Sequence, residues 1–112
     1  MSRRTERVGE QIRAEVARVL REEVGDPRVR LVTLTRVDVA PDLGHARVWW
    51  SVLGERDAEE VARGLESAAP FLRRRLAALL PLRRTPELRF RHDPSLELGD
   101  RTLAALRELE DG

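Results

Sequence analysis

The apolar residues of this chain change their spacing in a definite order, and that order limits the possible folds more than any single motif. Over residues 5–24, Val8, Ile12, Val16, Val19 and Leu20, with Val24 at the end, recur every three or four positions. That is the stripe of an amphipathic helix. Thr5 stands where an N-cap belongs. Gly25-Asp26-Pro27 closes the pattern, because glycine accepts a left-handed cap and proline bars continuation. From Leu31 to Val39 the chain is rich in β-branched residues and reads as a strand. Thr33, Thr35, Val37 and Val39 share one parity; Leu34, Arg36 and Asp38 share the other. Ala40-Pro41-Asp42-Leu43-Gly44 turns the chain into a second strand, His45 to Leu53. There Ala46, Val48, Trp50 and Val52 point one way, and Arg47, Trp49, Ser51 and Leu53 the other. So short a link favours an antiparallel pair.

The helical period returns after Gly54-Glu55-Arg56-Asp57, where Asp57 and Glu60 have capping-box spacing. Val61, Ala62, Leu65, Ala68 and Ala69 form a weakly apolar stripe suited to close approach. Gly64 costs about 1 kcal/mol of helix propensity and either permits tight packing or has no role. Pro70 interrupts the pattern. Proline lacks an N–H and clashes with the carbonyl four residues back, yet it suits the first position of a helix. It therefore marks either a kink or a fresh start. The next segment, to about Leu80, buries Phe71 or Leu72, then Leu76, Leu79 and Leu80, and carries Arg73, Arg74 and Arg75 on or beside its outer side. Placed near a helix start, these arginines gain nothing from the helix dipole, whereas an anion would. Pro81 to Pro86 leads into Glu87-Leu88-Arg89-Phe90-Arg91-His92, with Leu88 and Phe90 inward and Arg89 and Arg91 outward.

The expected fold is α+β. Its order is α-β-β-α-α-β plus a short C-terminal helix, with a three-stranded sheet and helices packed on one face. Residues 1–4 are expected to be a disordered basic N-terminus, 5–96 the domain, 97–110 a short helix built on Leu98, Leu103, Leu106 and Leu109, and 111–112 a frayed tail. The other sheet face is expected to be wet, carrying Arg36, Asp38, Arg47, Ser51, Arg89 and Arg91. Trp49 shares that parity. Stacking on a base and resting on a neighbour's aliphatic stem are both open to it.

Charge is segregated. Residues 67–91 hold seven arginines against one acid, a net +6, although the whole chain carries only +1. The flanking segments compensate, with −3 over 31–66 and −4 over 92–112. Local fields of this kind draw polyanions. With no cysteine, disulfides and thiolate chemistry are excluded, and the chain can work in a reducing cytoplasm. No apolar run approaches the ~20 residues of a membrane span. The histidines, His45 and His92, fit no metal-ligand pattern, although Asp93 adjoins one of them. No serine stands in a nucleophile elbow and there is no glycine-rich phosphate loop, so nothing supports an enzyme. Arginine binds phosphate in bidentate fashion. Arg73, Arg74, Arg75, Arg83, Arg84, Arg89 and Arg91 are therefore the expected RNA-binding ridge, with Arg3, Arg4 and Arg7 as a supplement. Helix-turn-helix spacing is missing, which favours RNA over major-groove reading. A protein-interaction module on the wet sheet face is the alternative.

The same residues resemble the ribosome-binding factor A family over almost the whole chain. The resemblance rests on Arg7-Val8 to Gln11-Ile12, Leu20, Asp26-Pro27-Arg28, Val32-Thr33, Val37, Asp42-Leu43 and Ala46-Arg47-Val48. Its strongest part is Phe71-Leu72-Arg73, Leu76, Leu82-Arg83, Pro86-Glu87-Leu88 and Phe90, followed by Asp93, Ser95 and Gly99. It implies a type II KH-like domain, with the third strand between or beside the other two. In this family an interrupted helix, usually Ala-x-Gly, replaces the glycine-rich KH loop. Ala68 matches the alanine, whereas Pro70 stands at the glycine and would stiffen the break. The resemblance further implies a cytoplasmic, non-enzymatic factor that binds the immature 30S subunit through 16S rRNA near the decoding-centre neck. Such a factor assists late maturation, including 5′-end processing, and is linked to growth in the cold. Carried over by position, the RNA role falls on Ala68, Pro70, Arg73, Arg74, Arg83 and Arg84. The acidic carboxyl end is short, so a long tail contact is not expected. No cofactor, metal, DNA or membrane is expected, and the chain is expected to be a monomer.

Overall fold

The computed structural model describes residues 3–52 and 57–94. In chain order the elements are α1 (Arg3–Glu22), β1 (Thr33–Val39), β2 (His45–Ser51), α2 (Ala58–Leu79) and β3 (Glu87–His92). The architecture is α+β, as the alternating periods require. β2 is central: β1 pairs with it antiparallel and β3 pairs with it parallel, so the third strand lies beside the hairpin rather than within it. Both helices pack on one face, α1 over β1 and α2 against β3. Between them Ile12, Val16, Leu65, Leu72, Leu76 and Val48 are fully buried, with Trp50 and Val52 beside them.

Three features depart from the sequence expectation. α1 begins at Arg3, so Thr5 is not its cap but a buried residue of its first turn, and Arg3 and Arg4 are helical. The two helical segments expected around Pro70 are one helix, α2, with the proline inside it. Leu65 and Ala68 before the proline and Leu72 and Leu76 after it lie on one buried stripe, and that packing outweighs a propensity penalty of ~3 kcal/mol. Leu79, expected in the core, is exposed. The proposed helix at 97–110 lies outside the described residues.

β1 also breaks its own alternation. Thr33 pairs with Ser51 and Leu34 with Trp50, but the next pair is Arg36 with Trp49, so Thr35 is the extra residue of a β-bulge. The bulge brings Leu34 onto the core side together with Val37 and Val39, against the parity of the sequence. It also aims the Thr35 hydroxyl at Asp93, to which it donates at 2.8 Å. Asp93 is held in turn by its N–H, which donates to the Trp50 carbonyl at 2.6 Å. The bulge thus ties the exit of β3 to β1 across the end of β2. His92 stacks on Trp50, with ring centroids 4.6 Å apart.

Two glycines set the helix positions. A Cβ on Gly9 would lie 2.5 Å from the Val37 carbonyl oxygen, so α1 rests almost directly on the β1 backbone. A Cβ on Gly64 would lie 2.8 Å from Val29 Cγ1, which answers the question the sequence left open: Gly64 permits close packing of the α1–β1 connector on α2.

Candidate nucleic-acid interface

α2 starts where Asp57 caps it, the carboxylate accepting from the N–H groups of Glu59 at 2.9 Å and Glu60 at 3.4 Å. With the register fixed and Val61, Leu65, Ala68, Leu72 and Leu76 turned inward, Glu66, Pro70, Arg73 and Ala77 form a stripe along one flank. That flank faces the approach to β3. Between the two lies an open groove of about 600 Å³, walled by Glu66, Ala69, Pro70, Arg73, Arg74 and Ala77 on the helix and by Thr85, Glu87 and Leu88 on the other side. The alanines keep the groove open because they fill none of it. An Arg73 Nη2–H donates to the Thr85 carbonyl at 3.1 Å, spanning the groove and leaving its remaining N–H groups for a ligand.

The arrangement suits a nucleotide. The floor and walls are largely apolar, a surface on which a flat ring can rest, and the exposed guanidinium groups of Arg73 and Arg74 border it with donors suited to an anion. Glu66 and Glu87 on the rim place negative charge there, which disfavours phosphate at those points and offers acceptors to amine donors. Pro70 has no N–H to offer the Glu66 carbonyl, so this carbonyl has lost its helical donor at the groove wall.

The structure divides the arginines named from the sequence. Arg73 and Arg74 line the groove. Arg83 and Arg84 are exposed in the connector just before Thr85. Arg75 faces the other way, its guanidinium donating at 2.8 and 3.3 Å to the two carboxylate oxygens of Glu23, the residue that follows α1. This ion pair holds the Glu23 carboxyl below its ordinary value, with the Arg75 hydrogen bond as the main cause. Arg75 is therefore a tie between the helices. Arg89 and Arg91 lie on the outward side of β3, and Arg3, Arg4 and Arg7 lie at the start of α1; none of these lines the groove. Ala68 is buried in the stripe, so of the two residues assigned to the break only Pro70 meets the groove. Because α2 begins at Ala58, Arg73 to Arg75 sit in its later turns and not at a helix start. The dipole reason for expecting an anion there fails, and the groove replaces it. The pairing of Thr85, Glu87 and Leu88 with α2 had no local sequence signal. It depends on β3 running parallel to β2.

The chain matches the family model for Ribosome-binding factor A over residues 4–106. The chain belongs to that family. It is 45% identical to the Ribosome-binding factor A of Pseudomonas syringae pv. syringae over 97% of its own length and 83% of that protein. The crystal structure of ribosome-binding factor A from Thermus thermophilus superposes with a TM-score of 0.71 at 26% identity, covering 79% of this chain and 94% of that one. A homology model of the Thermus thermophilus ribosome-binding factor A, fitted into a cryo-EM map of its complex with the 30S subunit, matches with a TM-score of 0.63 at 27% identity, over 77% of this chain and 91% of that one. The three-stranded sheet with helices on one face is thus the fold of ribosome-binding factor A.

Among the described residues no group of histidine, aspartate and glutamate is placed to hold a metal ion. No described helix is long and apolar enough to cross a membrane. His92 is engaged with Trp50, and Asp93 with Thr35 and the β2 backbone.

Proposed function

We propose that this chain is a non-enzymatic assembly factor that binds the immature 30S ribosomal subunit through 16S rRNA. It seats a segment of that RNA in the α2–β3 groove and assists late maturation, 5′-end processing included. The observation that carries this reading is the groove itself. An apolar trough of nucleotide size is bordered by two exposed arginines and a proline that strips a backbone donor from its wall. The likeness to a protein fitted into a 30S complex supports the small subunit as the target. Arg83 and Arg84, just upstream in the connector, extend the positive border. Binding then depends on released counterions and falls steeply with salt.

The test is co-sedimentation with purified immature small subunits. Arg73→Glu combined with Arg74→Glu is expected to keep the fold, since both side chains are exposed, and to lose most of the sedimenting fraction. A folded double variant that co-sediments like the parent at the same salt would overturn the proposal.

A further inference from the structure

The face of the sheet turned away from α1 and α2 carries an arrangement that the groove does not use. The strand registers set Arg36 of β1, Trp49 of β2 and Arg91 of β3 in one row, and Asp38, Arg47 and Arg89 in the next. Asp38 organises the first strand pair. One of its carboxylate oxygens accepts from the Trp49 indole N–H at 3.0 Å and from Arg36 Nε at 3.3 Å. The two donors converge, and the Arg36 guanidinium lies over the Trp49 ring with its carbon 4.6 Å from the centroid. Such cation–π contact and the shared carboxylate hold both planes in place. The Arg36 side chain is still 59% exposed. Its inner face rests on the indole and its outer face is open to solvent, so the stack has a vacant end at the guanidinium.

From this geometry we infer that the open sheet face is a second RNA surface, on which a base of a single-stranded segment stacks upon Arg36. The guanidinium planes of arginine serve as stacking partners for unpaired bases in RNA recognition, and here the plane is fixed before any ligand arrives. Arg47 and Arg91 supply phosphate contacts: both are exposed, and among the described residues neither has an acidic partner. Among the described residues the face holds four arginines against Asp38 and Glu87; Asp38 is already committed between Arg36 and Trp49, and Glu87 lies 3.8 Å from Arg89, which leaves Arg47 and Arg91 uncompensated. That excess of cations selects a polyanion over a neutral protein surface. Because β3 contributes to both surfaces, one RNA strand crossing it reaches the groove and the face together. This inference rests on the proposal that the chain binds RNA, but it concerns residues that the groove excludes.

The experiment measures binding of the full chain to a mixed-sequence single-stranded oligoribonucleotide and to immature small subunits across a salt series. Arg36→Gln is expected to weaken oligoribonucleotide binding about tenfold by removing the stacking plane. Arg47→Glu with Arg91→Glu is expected to lower the slope of log affinity against log salt by about 1.4, or ~0.7 for each lost phosphate contact. Unchanged affinity and slope in these variants, with thermal melts that show them folded, would overturn the inference. So would loss of subunit binding with oligoribonucleotide binding intact, which would make the face a site for a ribosomal protein. The Arg73→Glu, Arg74→Glu variant run alongside separates the two ideas. If it binds normally while the face variants do not, the groove reading fails and this one stands; the reverse pattern leaves only the groove.

Discussion

Replacing Gly9 with alanine tests how α1 is seated on the sheet. The new Cβ would stand 2.5 Å from the Val37 carbonyl oxygen, whereas carbon–oxygen contacts in proteins settle near ~3.3 Å. The helix must therefore lift from β1 by about 0.8 Å to reach that separation, and the obstacle is backbone, not a side chain that can swing aside. Overpacking of this kind costs about 1–3 kcal/mol. Alanine returns about 1 kcal/mol through its better helix propensity. The expected net loss is about 1 kcal/mol, which lowers Tm by ~4–8 °C in a domain near this size. Gly25→Ala is the control, since a Cβ there meets nothing within 4 Å. The assay is thermal unfolding followed by circular dichroism. A Gly9→Ala protein that melts at or above the parent temperature, with the same helical signal, would refute the close seating of α1.

Other perturbations follow from the same packing. Pro70→Ala should raise stability by about 1–3 kcal/mol by restoring an N–H within α2, and should weaken RNA binding by giving the Glu66 carbonyl on the groove wall an intrahelical donor; denaturant melts and a binding titration read the two effects. Thr35→Val should cost about 1–3 kcal/mol by leaving Asp93 without its hydroxyl donor, with faster amide exchange at the end of β3. Glu23 and Asp26 have carboxyls held below their ordinary values of 4.5 and 3.8 by hydrogen bonds from Arg75 and Arg28. Their contribution to stability is present above those values and is lost as pH falls through the lower folded-state values. Acid melts of Arg75→Gln should therefore show a shallower loss of stability below pH 4.5 than the parent; an identical acid profile would mean that the Arg75–Glu23 ion pair does not stabilise the fold.

The fold was legible wherever burial and spacing agree. The stripe from Val8 to Leu20 and the alternation from Ala46 to Val52 each have one face in the core, so the pattern could be read directly. It failed at Thr35, because a bulge adds a residue and reverses parity without leaving a mark on composition. Ser51 is another such case. Outward by parity, it is buried at the end of β2. At Pro70, local propensity argued for a break, but several turns of packed helix on each side carried α2 through it. Among the arginines, a run of like residues on a helix points in different directions. Arg73 and Arg74 reach the groove while Arg75, two positions from Arg73, reaches Glu23. The groove itself could not be read from the chain, since Thr85 and Leu88 face Pro70 across it only through the parallel pairing of β3 with β2.

Site-specific photo-crosslinking of the chain bound to immature small subunits bears most directly on where RNA sits. A photoreactive residue replacing Ala77, on the groove wall, is expected to crosslink to 16S rRNA. The same group at Arg21, exposed on α1, is expected to yield none. Crosslinks to rRNA from Arg21 with none from Ala77 would contradict the groove as the seat of the RNA.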